Sequence, residues 1–319
     1  MKIKNLGNSG LEVSNLCFGG NVFGWTVDEA TSFQLLDSFL ESGGNFIDTA
    51  DVYSRWAPGN HGGESEAIIG KWMKARKNRD QVIIATKVGM EMGPGKKGLS
   101  KDYILSAVEA SLKRLQTDRI DLYISHREDD STPIEETMDT YGKLITHGLI
   151  RVAGASNYTA KRLRKAIETS HKVAVPAYQS LQPLYNLYDR GEFERDLQPI
   201  CEEFGLGVTP YYSLASGFLT GKYRSEADFQ KSARGSGAIK YMDERGTKIL
   251  AALDRVGKEH RCSPTAVALA WLMSKPIVST PIASATSTEQ MKDLVAATQL
   301  NLDKPSLELL DRASDPGIF

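Results

Sequence analysis

The chain reads as an α/β protein folded as one eight-stranded parallel barrel, and three observations predict this. Short apolar runs alternate with longer amphipathic runs eight times along the sequence. Several of the short runs are continuous rather than alternating, as expected of parallel strands covered on both faces. No linker, repeat or low-complexity stretch divides the 319 residues, so a length that could hold two domains reads as one barrel spanning 1–319. An open doubly wound sheet would carry a Gly-rich fingerprint after its first strand. Here that strand runs into GGNVFGW, and no GxGxxG occurs.

The elements follow in order. Residues 2–6 and 11–14, joined by GNSG, read as a β-hairpin placed to plug one end of the barrel. The eight barrel strands are expected at 16–19, 45–48, 82–86, 122–125, 152–155, 177–181, 207–211 and 277–282. Between them, 28–42 carries Phe33, Leu36, Phe39 and Leu40 on one helical face, and 64–77 carries Ile68, Ile69, Trp72 and Met73. Residues 102–115 form a helix capped by Ser100, and 134–147 one that follows Pro133. Helices at 159–168 and 193–204 continue the alternation. Ser263 and Pro264 are a cap and a first-turn proline for 265–273, and 288–297 follows the last strand. One connection, 213–243 after strand seven, is long and rich in Gly, Ser, Lys and Arg, which marks a functional lid or clamp.

Composition removes several functions. Thirty-nine Lys and Arg balance 40 Asp and Glu, a net charge of −1, so no field favours nucleic acid or an anionic membrane. The charge-dense stretches at 161–165 and 245–261 are short and interleaved with apolar residues, as on solvated helix faces. Three cysteines and five scattered histidines make neither a disulfide framework nor a zinc site, so no metal is expected. No apolar leader or long apolar window occurs, which points to the cytoplasm.

In an α/β barrel the site lies at the C-terminal ends of the strands. The polar residues there are Asp48 and Tyr53, Thr86 and Lys87, Ser125 and His126, Ser156 and Asn157, Gln182, and Tyr211. The stretches GGNFIDTADVY, GGESEAIIG, ATKVG, DLYISHRED, GLIRVAGASNYTA, LQPLYNLYDR and YYSLASGFLTGKY resemble, in order and spacing, the signature segments of the aldo-keto reductases. The resemblance is closest to the bacterial branch that is also similar to potassium-channel β subunits, and it covers almost the whole chain.

The resemblance implies an eight-stranded barrel and reversible hydride transfer between a nicotinamide cofactor and an aldehyde or ketone. Small aldehydes, ketoaldehydes and sugar-derived carbonyls are the candidate substrates. It implies a catalytic set of Asp48, Tyr53, Lys87 and His126, with Tyr53 as proton donor. A free phenol titrates near ~10, and a neighbouring ammonium stabilises its anion by roughly 4 kcal/mol at 4 Å and an effective dielectric near 20. Tyr53 is therefore expected to titrate below its ordinary value, less so where Asp48 offsets Lys87. The resemblance also places Ser156, Asn157 and Gln182 on the nicotinamide amide and stacks Tyr211 on the ring. Ser213, Leu214, Ser216, Gly217 and Lys222 fall at the pyrophosphate, and Ser284, Thr286 and Gln290 at the adenosine end. Many relatives carry Lys or Arg in this last segment. The cofactor implied is NADPH, with NADH the alternative and Arg234 or Lys231 as a substitute charge. Phe23, Trp25 and Trp56 are expected at the substrate, although core packing for the first two and an exposed loop for the third fit equally. The rival function is an NADP(H)-binding redox-sensing regulatory subunit with slow or no turnover. The oligomeric state is not readable.

Overall fold

The computed structural model describes residues 1–317, except the side chain of Lys231. Two short antiparallel strands, β1 (Ile3–Asn5) and β2 (Glu12–Ser14), pair with Ile3 opposite Ser14. Eight parallel strands follow: β3 (Cys17–Gly19), β4 (Phe46–Asp48), β5 (Ile83–Val88), β6 (Ile120–Ser125), β7 (Ile150–Ser156), β8 (Ser180–Gln182), β9 (Gly207–Val208) and β10 (Ile282–Ala283). Their order is β10-β3-β4-β5-β6-β7-β8-β9, each beside its sequence neighbour except at the β10–β3 seam. The other seam is drawn together by a Val208–Val278 bridge and by the amides of Ser279 and Ile282, which donate to Val208 (3.0 Å) and Pro210 (2.9 Å). The expected (β/α)8 architecture is present.

The last three strands are shorter than the apolar runs suggest. Pro183, Pro210 and Pro281 lie at their ends and offer no amide to a ladder. The helices are α1 (Glu29–Glu41), α2 (Glu64–Arg76), α3 (Lys101–Leu115), α4 (Ile134–Thr146), α5 (Ala160–Lys172), α6 (Gln198–Phe204), α7 (Glu244–His260), α8 (Pro264–Ser274), α9 (Thr288–Ala297) and α10 (Lys304–Ala313). A π-helical turn over Phe193–Leu197 precedes α6. The side chains of Asp28, Thr159, Asp243, Ser263, Ser287 and Asp303 accept from first-turn amides, satisfying donors a helix start leaves open. Ser100 occupies the cap position of α3 without a side-chain bond; Glu136 of α4 takes the Lys101 amide instead.

The barrel interior divides by strand parity. Cys17, Phe46, Ala85, Leu122, Ile124, Val152 and Ile282 form an inner cluster, while Phe18, Ile47, Ile84 and Tyr123 join the core shared with the helices. Leu6, Leu11 and Val13 of the hairpin complete the inner cluster, so the hairpin does plug the barrel. Each of these buried leucines contributes about 2 kcal/mol on transfer from water. The plug is seated by close approach of two backbones. Gly7 lies at φ +53°, and a Cβ there would fall 2.2 Å from the Gly207 nitrogen. The same parity carries one step further along each strand. Asp48, Lys87, His126 and Ser156 therefore face inward at the opposite end.

The connection 213–243 is not structureless. It folds into three 3₁₀ segments, Ala215–Thr220, Glu226–Lys231 and Gly235–Tyr241, which pack on one another and on α8. No described helix is long and apolar enough to cross a membrane.

Candidate active site

A cavity of about 910 Å³ opens at the C-terminal ends of the strands. At its floor, the Lys87 ammonium donates to Asp48 Oδ2 (2.7 Å), to the Thr49 carbonyl (2.7 Å) and toward the Tyr53 hydroxyl (2.8 Å). Tyr53 donates its own proton to Asp48 Oδ2 at 3.1 Å, and Gln182 Nε2 donates to Asp48 Oδ1 at 2.9 Å. Asp48 and Lys87 are fully buried, so the ammonium and carboxylate exchange water for each other and for these bonds. β4 and β5 set this meeting, since Asp48 stands in register with Ala85, two residues before Lys87.

His126 completes the floor. Its ring centroid is 6.1 Å from that of Tyr53, and its Nδ1 is buried without a partner. Burial, with Lys87 and Arg127 nearby, holds its pKa well below the ordinary value, so the imidazole is neutral at pH 7. Tyr53 departs from expectation. Burial and then the Asp48 carboxylate push its phenol well above the usual value. The Lys87 ammonium does not win, because desolvation and Asp48 act together against the phenolate. Tyr53 is accordingly a firmly protonated phenol beside an ammonium.

The belt above the floor is hydrogen-bonded through. Tyr211 donates to Asn157 Oδ1 (2.7 Å), Asn157 Nδ2 to the His126 carbonyl (2.8 Å), and Ser156 Oγ to the Gln182 carbonyl (2.9 Å). Ser156 and Asn157 do not cap α5; Thr159 does. Ser213, Leu214, Ser216, Gly217 and Lys222 line the cavity, as do Ser284 and Gln290. Here the backbone is strained: Asn157 (φ 52°), Tyr212 (52°), Ala215 (48°) and Ser216 (56°) are all left-handed without being glycine. At Gly217 (φ +90°) a Cβ would stand 2.9 Å from Lys222 Cε. Successive left-handed residues beside an ammonium form a concavity suited to a phosphate.

Three expected residues do not line the cavity. Lys87 is fully buried just beneath its floor. Phe23 is fully buried in the core, edge-on to Phe18 at 5.6 Å, and its carbonyl accepts from Ser54. Thr286 does not line the cavity either; it holds Gln290 there by donating its amide to Oε1 at 2.9 Å. Trp25 and Trp56 do line it, stacked edge to face at 5.6 Å, with Trp56 6.1 Å from Tyr53. Trp56 and Tyr212 remain half exposed. Arg234 lines the cavity, and neither it nor Lys222 has an ion-pair partner among the described residues. The Lys231 side chain lies outside the described residues. Asn21, Met90, Tyr212 and Asp293 also line the cavity and were not anticipated. Asn21 and Tyr212 each adjoin a strand end or an expected residue, which is the signal that could have found them. Among the described residues no cluster of His, Cys, Asp and Glu could hold a metal ion.

A model of the Aldo/keto reductase family matches residues 15–315. The chain belongs to this family. It is 35% identical, over 98% of its length and 95% of the relative's, to an uncharacterized oxidoreductase of Bacillus subtilis, YrpG. It is 33% identical to norsolorinic acid reductase of Aspergillus flavus over 96% of this chain and 79% of that one. It is also 33% identical, over 93% of this chain and 91% of the relative's, to a protein of Oryza sativa named a probable voltage-gated potassium channel subunit beta. The chain is thus an aldo/keto reductase, an oxidoreductase acting on carbonyl compounds.

Nicotinamide cofactors serve this family, and the cavity fits one. It joins a polar belt, a phosphate-sized concavity and two cations without an ion-pair partner among the described residues in one continuous volume.

Proposed function

We propose that the protein is an NADPH-dependent carbonyl reductase working in the cytoplasm on small aldehydes and ketones. The observation that carries this is the Lys87 ammonium, held within hydrogen-bond reach of both Asp48 and the Tyr53 hydroxyl at the floor of the cavity. Bound NADPH supplies a hydride. The residues of the chain bind, orient and move the proton.

Tyr53, firmly protonated, donates to the carbonyl oxygen as that oxygen gains charge. The phenolate left behind is met at once by Lys87, whose ammonium is kept charged and aimed by Asp48. Gln182 fixes the second oxygen of Asp48, so the carboxylate does not swing away. His126 is neutral and adds a hydrogen bond without adding charge; the Nε2–H tautomer presents the donor. Ser156, Asn157 and Tyr211 hold the nicotinamide end. Ser213, Leu214, Ser216, Gly217 and Lys222 hold the phosphates, and Ser284 and Gln290 the adenosine end. Arg234 supplies the charge for a 2′-phosphate that the Ser284–Gln290 segment lacks, which favours NADPH over NADH. Trp25 and Trp56 cover the reacting carbonyl and exclude water.

The test is NADPH oxidation, with NADH in parallel, against a panel of aldehydes and ketones, using wild type and Tyr53→Phe. Turnover in wild type and a loss of about 10³-fold or more in the variant, with cofactor binding retained, are expected. A variant as fast as wild type overturns the assignment of Tyr53. Cofactor binding without turnover in wild type overturns the reductase reading and leaves the regulatory one.

A further inference from the structure

A second buried acid lies between the two catalytic residues of one turn. Asp51 follows Asp48 and precedes Tyr53, and its amide donates to the Lys87 carbonyl at 3.3 Å. Its side chain is 2% exposed, yet both carboxyl oxygens are buried without a hydrogen-bond partner among the described residues. The donors nearby are taken by another carboxylate. Glu66 of α2, also fully buried, accepts from Thr86 Oγ1 (2.6 Å) and from Arg114 Nε of α3 (2.7 Å). Two carboxyl groups therefore face one guanidinium, and only one of them is bonded to it.

Such a group cannot be ionised cheaply. A buried carboxylate without donors loses its hydration for nothing, and a like charge beside it adds to the loss. The groups facing Asp51 are Glu66 from α2, Arg114 and Tyr103 from α3, Lys87 from β5, Tyr123 from β6 and Tyr141 from α4. Burial first and Glu66 second, opposed by Arg114, by the nearby Val52 amide and by Lys87, raise the Asp51 pKa to about 8. Tyr53 is driven up and His126 down, away from that range.

We propose that Asp51 is a positioning residue whose proton keeps the layer beneath Tyr53 and Lys87 neutral, and whose ionisation weakens Tyr53 as a proton donor. The physical route is short. With Asp51 protonated, Glu66 and Arg114 cancel. With Asp51 ionised, one negative charge is left uncompensated on the same turn as Tyr53. That charge favours the phenol over the phenolate and so slows donation to a substrate carbonyl. At an effective dielectric near 20 and a separation of order 10 Å, the effect is about fifteenfold at most. The inference rests on the reductase reading for its catalytic half only.

The experiment is the pH dependence of kcat from 6 to 10, at saturating NADPH and the aldehyde wild type reduces fastest, for wild type, Asp51→Asn and Glu66→Gln. Wild type should fall about fivefold across a limb centred near 8. Asp51→Asn, which mimics the protonated acid, should lose that limb, and Glu66→Gln should move it to lower pH. A limb unchanged in Asp51→Asn, or its absence from wild type, overturns the proposal. Infrared titration of wild type gives a second readout that needs neither variant nor turnover. A protonated-carboxyl band that survives at pH 7 and is lost near 8 is expected; no such band overturns the buried acid. A wild type with this band that reduces no carbonyl would overturn the reductase reading instead.

Discussion

Two buried ion pairs sit at opposite ends of the same barrel. At the plugged end, Asp121 of β6 accepts from Arg79 (2.8 Å), Arg151 (3.0 Å) and the Ile84 amide (2.9 Å). At the open end, Asp48 accepts from Lys87, Tyr53 and Gln182. Both carboxylates are about 1% exposed and both have three donors. The difference lies in what the donors are. Those of Asp121 are guanidinium and amide groups, which never release a proton near neutral pH. One donor to Asp48 is a phenol facing a cavity, and another is an ammonium shared with that phenol. The first arrangement staples strands together, and the second can take part in proton transfer. Burial and charge alone do not distinguish them; the acidity and access of the donor do.

Several substitutions would break or sharpen this contrast. Lys87→Met should lower kcat about 10³-fold, since the Tyr53 phenolate would form unaided; steady-state assay beside far-ultraviolet dichroism separates lost chemistry from lost fold. Asp121→Asn should do the opposite. It should cost about 3 kcal/mol in denaturant unfolding, by leaving two guanidinium groups short of their counter-charge, with kcat intact. Loss of activity in a folded Asp121→Asn would erase the distinction. Arg234→Ala should raise the KM for NADPH about tenfold and leave that for NADH nearly unchanged, as loss of one charge-assisted phosphate contact predicts. The last effect is on the pH dependence of stability. The Asp51 acid is raised from about 4 unfolded to about 8 folded. Its contribution to stability is fully present below the lower value and lost as pH rises to the upper one. The melting temperature of Asp51→Asn should therefore gain on wild type steadily between those limits, and level off above them.

Strand ends made much of this legible. In an α/β barrel the C-terminal ends of the strands gather at one mouth, so Asp48, Lys87, His126 and Ser156 fall together from their places in the chain, and the parity that turns them inward is seen only in the structure. The hairpin plug was readable too, from an apolar pair flanking a GNSG turn. Less visible were features that depend on distant partners. The helix α10 was missed because it fully buries only Leu310 and Ser306; Leu307, Leu309 and Ala313 are only partly covered by the core, and polar bonds such as Trp271 to Asp311 at 2.9 Å add to its hold. Phe23 follows the first barrel strand as Trp25 does, yet one ring turns to the core and the other to the mouth. The sign at Tyr53 depended on the degree of burial, which a motif does not carry. Asp51 lies inside a motif in which only the flanking Asp48 and Tyr53 carry a chemical signature; its isolation from donors depends on partners in α2 and α3.

The seam of the barrel has a consequence for how the chain acquires its shape. Cys17 pairs with Ile282, and the Asn8 amide reaches the Gly205 carbonyl. The hairpin and the first barrel strand thus find their mates far along the sequence. Until then Leu6, Leu11 and Val13 have no inner wall to fill, and an apolar mouth stays open on the growing chain. Contacts of such long sequence separation are entropically slow to form. Synthesis and closure are therefore separate events, with an interval between them in which the nascent chain is exposed to aggregation or to a chaperone.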